Sequence, residues 1–216
     1  ILPSYCKSWY LAEKGGFGDR ALVTGGDSGI GRAVCICFAR EGATVAFIYI
    51  KGEEKDASET LRMLLEFIAL DAESPIAIPT ALGYDEKQEG VVKTYKRIDI
   101  LVNNAAESHL TSVVEEITED KLESFWHALK RMRGGSSIIN TTSVDAYLGN
   151  PKAMDYASST GAIVAFTRSL AVQLVKKGIR VNGVAPGPVW TPLIPAIMKE
   201  DMVAKFESET PMGRAA

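Results

Sequence analysis

The feature that most constrains this chain is a glycine-rich stretch at residues 24–31, Thr-Gly-Gly-Asp-Ser-Gly-Ile-Gly. It follows the apolar run 21–23 and precedes a run of helical character that begins at Arg32. A strand that turns into a helix through glycines lets the backbone approach an anion, and the free N–H groups at the helix start favour a phosphate. Turns of this kind also occur for packing alone, so the stretch by itself leaves both interpretations open.

Apolar periodicity divides the rest of the chain into alternating strands and helices. Strands are predicted at six places: Ala21–Thr24, Thr44–Tyr49, Ile76–Pro79, Ile98–Val102, Ser137–Thr141 and Ile179–Val184. Helices are predicted between them: Ile30–Glu41, Glu53–Ala69, Glu86–Lys96 and Tyr156–Val175. This alternation predicts an α/β fold, a doubly wound parallel sheet of Rossmann type. We expect a single domain over residues 19–216, preceded by an irregular N-terminal arm over residues 1–18.

Composition excludes several classes of partner. The 216 residues carry 24 Lys and Arg against 27 Asp and Glu, a net charge of −3, so bulk charge favours neither nucleic acid nor an acidic membrane. No apolar stretch approaches the roughly 20 residues of a membrane span, and the first residues lack a secretory signal pattern. We therefore expect a cytoplasmic protein that acts on a small molecule. Cys35 and Cys37 point apart on one helix, and His109 and His127 stand alone, so no metal site is predicted.

Candidate functional residues follow three of the predicted strands at the point where each ends. Asn103–Ala106 follows the fourth strand, Ser143 the fifth and Pro186–Pro192 the sixth. In a doubly wound sheet these carboxyl ends meet at the edge where ligands bind. Separately, each has another explanation, as a cap, a loop serine or a bend. Together with the glycine turn, they predict one site.

Five motifs occur in the order typical of one known family: residues 24–31, Asn103–Ala105, Ser143, Tyr156 and Pro186–Thr191. In these motifs the chain resembles the short-chain dehydrogenase/reductase family, and over longer stretches such as 178–193 its plant members called glucose and ribitol dehydrogenase homologues. The resemblance implies an oxidoreductase that uses NADP or NAD to interconvert an alcohol, suspected to be a sugar or polyol, and a carbonyl. It also implies a homodimer or homotetramer.

The resemblance assigns roles position by position. Ser143 would bind the substrate oxygen, and Tyr156 would transfer the proton. Residues that would bind the coenzyme fall in four groups: Gly25, Asp27, Ser28, Gly29, Ile30 and Gly31; Tyr49 and Lys51; Asn103 and Ala105; and Pro186, Gly187, Val189 and Thr191. Tyr49 stands where NAD-preferring members have an acid, which favours NADP and leaves NAD open. Lys51 is either a ligand of the 2′-phosphate or a plain solvated charge.

The catalytic helix departs from the family pattern. Thr160 stands where the family has lysine, four residues after Tyr156 and so on the same helix face. A lysine ammonium there would favour the tyrosinate and grip the coenzyme ribose, whereas threonine carries no charge. We therefore count Thr160 with the catalytic positions and expect slow turnover.

Further departures shorten the chain relative to the family. The segment between Leu122 and Met132 is about a dozen residues too short, roughly three helical turns, and a smaller shortening falls at 91–93. Ala81 replaces the usual aspartate, and the last helix and seventh strand would be absent. Because a deletion inside a core helix would expose the sheet, we expect residues to be missing here. Three interpretations remain: an active reductase, a degenerate cofactor-binding homologue without turnover, and a structural or seed storage-type protein of the same fold.

Overall fold

The computed structural model describes residues 19–68, 78–82, 97–105, 129–151, 153–194, 210 and 212–216. Its strands are β1 (Arg20–Thr24), β2 (Thr44–Ile50), β3 (Ile78–Leu82), β4 (Ile98–Asn103), β5 (Met132–Thr141) and β6 (Arg180–Val184). Its helices are α1 (Gly29–Arg40), α2 (Glu54–Ile68), the one-turn α3 (Asp145–Leu148) and α4 (Met154–Leu174), which a 3₁₀ turn at Val175–Lys177 extends.

The six strands form one parallel sheet in the order β3-β2-β1-β4-β5-β6. The chain leaves β1 toward one edge, through β2 and β3, and then returns to place β4 on the other side of β1. The strand order therefore reverses between β1 and β4, and ligands of such sheets bind at that point, beyond the carboxyl ends of the strands. The predicted doubly wound fold is confirmed.

Each face of the sheet has its own apolar core. Leu22 of β1 belongs to the cluster under α4, with Ile138, Leu170 and Leu174. Its neighbour Val23 belongs to the opposite cluster, under α1 and α2. Successive strand residues point to opposite faces, so a strand covered on both sides must be apolar without interruption. This explains why β1 and β2 could be recognised as continuous apolar runs.

Two predicted strand bounds are wrong. The third strand continues to Leu82, three residues past the predicted end at Pro79, because Leu82 pairs with Ile50 along β2. Residues 76 and 77 of the prediction lie outside the described residues. The fifth strand begins at Met132, five residues before Ser137, because Met132 pairs with Ile98 and the register then shifts before Ile100. In both cases the neighbouring strand extends the ladder over residues with weak local preference.

Helix α1 and helix α4 match the prediction to within two residues at each end, and α3 was not predicted. The predicted helix 86–96, the arm 1–18 and the shortened segments at 91–93 and 122–128 lie outside the described residues. Within the described ranges, no helix is both long and apolar enough to cross a membrane.

Candidate active site

Steric constraints on the backbone shape the turn between β1 and α1. Gly25 and Gly29 adopt φ of 63° and 51°, in the left-handed region that favours glycine. The Gly25 N–H donates to the Ile48 carbonyl over 2.8 Å, which fixes the turn to β2. A Cβ on Gly31 would collide with the Gly25 carbonyl oxygen. The first turn of α1 can therefore fold back over β1 only with glycine at position 31.

The turn also touches the segments that follow β4 and β6. A Cβ on Gly25 would lie 3.0 Å from the Cα of Ala105, and one on Gly29 would lie 3.2 Å from the Cβ of Thr191. Four of the predicted coenzyme residues, from three separate parts of the sequence, are thus brought together. Ser28 is the N-cap of α1 and its side chain makes no capping hydrogen bond, so that side chain leaves the N–H groups of the first turn available to a ligand.

Thr24 and Asn104 hold the turn against the end of β4. The Thr24 hydroxyl oxygen accepts the N–H groups of Asn104 and Ala105, each over 2.9 Å. The Asn104 amide donates to the carbonyls of Thr24 and Gly25 over 3.3 and 3.4 Å, and its oxygen accepts the Thr141 hydroxyl. The sequence analysis included Asn104 in the candidate segment 103–106 but assigned it no role. The available signal was an asparagine pair directly after a buried strand, where side-chain-to-backbone bonds are common.

A second set of bonds ties the turn to α2. The Asp27 carbonyl accepts the Arg32 guanidinium over 2.9 Å and the Thr60 hydroxyl over 2.7 Å. Arg32 also donates to the Thr60 hydroxyl, and to the carbonyl and carboxylate of Asp56. Asp27 itself is buried. Burial of the Cys35 thiol, which is the larger cause, and the charge of the nearby Asp27 raise the pKa of that thiol to about 12. Asp27, predicted to bind the coenzyme, thus braces the turn through its carbonyl.

The region after β2 carries charges of both signs. The Glu53 carboxyl is hydrogen-bonded to Asp27, and partial burial, that bond and the charges of Asp27 and Asp56 raise its pKa. Lys51 lies exposed in the turn that follows β2. The Tyr49 ring is half-buried, 6.3 Å from the Phe47 ring between centroids. Tyr49 packs against the core and directly follows Ile48, whose carbonyl accepts the Gly25 N–H of the turn.

Ser143 lies where the ends of β5 and β6 meet. It is buried, and its hydroxyl oxygen accepts the Asp145 N–H over 3.2 Å. The Val144 N–H donates to the Pro186 carbonyl over 3.1 Å, which joins the loop after β5 to the loop that contains Gly187, Val189 and Thr191. Further on, the Trp190 N–H donates to the Ala216 carbonyl, and the Ala216 N–H to the Pro188 carbonyl, each over 2.9 Å. The predicted nicotinamide loop is thus braced on two sides.

Tyr156 and Thr160 differ in environment although they share one helix. Tyr156, in the first turn of α4, is 46% exposed, whereas Thr160 is 4% exposed. The Thr160 hydroxyl bonds back to the Tyr156 and Ala157 carbonyls, over 2.9 and 3.1 Å. Its hydrogen-bonding capacity is therefore used within the helix, and it brings no positive charge to the face that Tyr156 shares.

Comparison with known proteins gives results in line with this geometry. A family model described as enoyl-(acyl carrier protein) reductase matches residues 25–216. A protein of Arabidopsis thaliana named NADPH-dependent aldehyde reductase 1, chloroplastic, is 56% identical, over 99% of this chain and 80% of that protein. A protein of Daucus carota named glucose and ribitol dehydrogenase is also 56% identical, over 99% of this chain and 79% of that protein. The first alignment extends over 230 residues against 216 in this chain, so 14 or more residues of that relative have no counterpart here.

Solved structures agree with the sheet topology. A short-chain dehydrogenase from Burkholderia cenocepacia J2315, determined with NADP, superposes with a TM-score of 0.74 at 27% identity, over 92% of this chain and 84% of that one. An actinorhodin polyketide ketoreductase variant, determined with NADPH, gives a TM-score of 0.74 at 25% identity, over 92% of this chain and 85% of that one.

Proposed function

The chain belongs to the short-chain dehydrogenase/reductase family, and we propose that it is an NADP-dependent reductase of small aldehydes. One observation carries the proposal: the glycine turn, the segment after β4 and Thr191 after β6 meet in one place with the helix start uncapped by Ser28. A dinucleotide needs this combination, because its pyrophosphate must approach the backbone while its nicotinamide end reaches a different loop.

The chain's own residues fit the coenzyme. Gly25, Gly29 and Gly31 let the turn pack closely against the segment after β4 and against Thr191. The N–H groups at the start of α1, which the Ser28 side chain does not cap, would bind the pyrophosphate. Asn103 and Ala105 would hold the adenine ribose, and Val189 and Thr191 the carboxamide. When bound, the reduced nicotinamide supplies a hydride. Lys51 would meet the 2′-phosphate, and the nearby Glu53 and Asp27 would disfavour it, so NADH remains the second coenzyme to test.

Proton transfer falls to Tyr156 and Ser143. In reduction, the Tyr156 hydroxyl would donate its proton to the carbonyl oxygen while the Ser143 hydroxyl binds that oxygen. The reverse reaction needs Tyr156 as an anion, and Thr160 provides no cation to stabilise it. Without that cation the tyrosinate form is scarce at neutral pH, so turnover by this chain would be slow.

The names of the relatives suggest the substrate class. One is called an aldehyde reductase and another a glucose and ribitol dehydrogenase, and an open-chain sugar also presents an aldehyde. We therefore propose short aldehydes, including sugar aldehydes, as substrates of this chain, and a homodimer or homotetramer as its assembly. A cytoplasmic location stays a prediction.

The proposal is tested by titrating NADPH and NADH and then measuring NADPH oxidation with a series of short aldehydes and aldoses. We expect saturable NADPH binding below millimolar, and turnover that Tyr156→Phe abolishes and Ser143→Ala reduces by about 100-fold. Binding without turnover by the wild-type chain would exclude a reductase and leave the degenerate homologue. Turnover unchanged by Tyr156→Phe would place the chemistry on other residues.

A further inference from the structure

A row of polar side chains crosses the boundary between the sheet and α4. The Asn103 amide donates to the Asn140 side-chain oxygen over 2.8 Å, and the Asn140 amide donates to the Thr167 hydroxyl over 2.9 Å. The Thr167 hydroxyl in turn donates to the Ile163 carbonyl over 2.7 Å. The row therefore runs from the end of β4, across β5, into the backbone of α4.

This row lies in an apolar setting. Asn140 is 2% exposed and Thr167 is 8% exposed, beside the apolar cluster that contains Ile138 and Leu170. A buried amide loses its hydration, so each of its polar atoms must be paired inside the protein. An apolar pair would fill the same space without that requirement. The Asn140–Thr167 pair adds a geometric constraint that apolar packing lacks, because a hydrogen bond restricts both the distance and the angle between β5 and α4.

A second bond joins the same two elements nearer the site. The Thr142 hydroxyl donates to the Thr160 carbonyl over 2.8 Å, and Thr142 is itself buried. The bonds therefore hold α4 at Thr160 and at Thr167, seven residues or roughly two helical turns apart. Two fixed points on one helix prevent it from both sliding and rotating against β5.

The two elements held in this way carry the two proton-handling groups. Ser143 follows Thr142 directly at the end of β5, and Tyr156 lies one turn before Thr160 in α4. The geometry points to Asn140 and Thr167 as positioning residues that align Tyr156 with Ser143 through the bonds between β5 and α4. This inference rests on the proposed function. Because the row begins at Asn103, it also links that alignment to the predicted coenzyme site.

The test uses two variants of the same residue. Thr167→Val keeps the shape of the side chain, removes the hydroxyl and leaves the Asn140 amide without its acceptor. Thr167→Ser keeps the hydroxyl and removes only a methyl group. Ser169→Ala, on the exposed side of α4, is the control for removal of a hydroxyl from this helix. Each variant is compared with the wild type in kcat, in KM for aldehyde and NADPH, and in amide hydrogen exchange over residues 157–167.

We expect Thr167→Val to lower kcat about tenfold or more while the NADPH KM changes by less than about twofold, because misalignment affects the chemical step. Thr167→Ser should restore kcat to within about threefold of the wild type, and exchange in α4 should accelerate only in the valine variant. If Thr167→Val does not fold, Thr142→Val, which breaks the other bond, should lower kcat with the same unchanged NADPH KM.

Two outcomes would overturn the inference: a wild-type kcat in Thr167→Val, or a Thr167→Ser variant as impaired as Thr167→Val. The second would mean that packing, not the hydrogen bond, matters at this position. If the wild type binds NADPH without turnover, the proposed function fails by itself. Amide hydrogen exchange over residues 157–167 then tests the positioning of α4 by itself. Faster exchange in Thr167→Val alone supports the hydrogen bond as the restraint on α4, and equal exchange in Thr167→Val and Thr167→Ser overturns it.

Discussion

The glycine turn between β1 and α1 and the start of α4 are built on different principles. At the turn, Gly31 has no room for a side chain, because a Cβ would meet the Gly25 carbonyl and lie 2.7 Å from the Asn104 amide. At the start of α4, Thr160 stands where the family resemblance predicts a lysine, and it is buried with its hydroxyl bonded to two carbonyls of its own helix. We therefore expect a substitution in the turn to disturb the fold and coenzyme binding together, whereas one at the start of α4 can change the local charge without disturbing the fold.

This difference affects how each region tolerates substitution. A Cβ on Gly31 would meet the Gly25 carbonyl, and one on Gly25 the Cα of Ala105, so a change at the turn must displace backbone at the ends of β1 and β4. Stability and coenzyme binding should therefore fall together. A change at Tyr156 or Thr160 alters which groups carry charge and protons while the surrounding packing stays in place. Stability and turnover should therefore separate at α4 and coincide at the turn.

The strongest test of the comparison is Gly31→Ala. Its new methyl group must push the Gly25 carbonyl away, so we expect a loss of about 3 kcal/mol or more in the free energy of unfolding. NADPH affinity should fall by about 100-fold in the same variant. Urea denaturation and NADPH titration measure the two effects.

Gly161→Ala is the matched control. Gly161 lies inside α4, and a Cβ there would meet nothing within 4 Å. This variant should be more stable than the wild type by about 0.5–1 kcal/mol, because alanine loses less backbone entropy in a helix. A Gly31→Ala protein that is as stable as the wild type would show that the turn relaxes, and the proposed contrast between the two regions would be lost.

Thr160→Lys tests the other region. The new ammonium would stand one turn after Tyr156, where it can stabilise the tyrosinate, and we expect oxidation of an alcohol to rise by about 100-fold. At a given pH, kcat/KM for aldehyde reduction should rise by the same factor, because the equilibrium constant ties the two directions together. The pH at which oxidation reaches half its maximal rate separates the two ways in which the lysine could act, and it should fall toward neutral if the lysine acts on Tyr156. A gain in turnover with no change in this pH would mean that the lysine acts by holding the coenzyme and not through Tyr156.

Arg32→Met tests the bracing of the turn by α2. Methionine keeps the apolar stem and removes the donors to the Asp27 carbonyl, to Thr60 and to Asp56, so we expect a loss of about 1–3 kcal/mol in stability. NADPH affinity should weaken about tenfold as the turn loosens. Arg62→Met, which removes an exposed ion pair with Glu59, should cost less than about 0.5 kcal/mol. Urea denaturation measures the loss of stability in both variants. Similar losses would mean that the bonds of Arg32 stabilise the turn no more than an exposed ion pair stabilises its helix.

The sequence was sufficient for the parts of the molecule that local constraints decide. Sterics restrict the turn to glycine, and burial on both faces restricts strands β1 and β2 to apolar residues. For this reason we could predict the turn, these two strands and the alternation of strands and helices that defines the sheet. Ala105 and Thr191 could be placed near the turn because the carboxyl ends of parallel strands share one edge of the sheet.

Other parts depend on partners distant in sequence. The early start of β5 follows from the pairing of Met132 with Ile98, and nothing in the glycines at 134–135 indicates a strand. The roles of Asn104 and Thr167 follow from bonds to residues that are 79 and 27 positions away. Asparagine and threonine serve in caps, loops and cores alike, so residue type alone could not single them out.

The smallest predicted effect concerns charge at the turn. Burial, the hydrogen bond that the protonated Glu53 carboxyl donates to Asp27, and the charges of Asp27 and Asp56 raise the pKa of Glu53 above its unfolded value. An acid with a raised folded pKa contributes stability that is present below the unfolded pKa and is lost as the pH rises through the folded pKa. Glu53→Gln stays neutral throughout, so it should equal the wild type near pH 4 and become more stable than the wild type toward pH 7.

The exposed Glu59 gives the opposite sign, because its hydrogen bond with Arg62 lowers its pKa. Glu59→Gln should therefore be less stable than the wild type at pH 7, and the difference should vanish as the pH falls through the folded pKa of Glu59. Urea midpoints of the three proteins at pH 4 and pH 7 measure both trends, and a Glu53→Gln protein that weakens toward neutral pH would show that the turn benefits from this carboxylate.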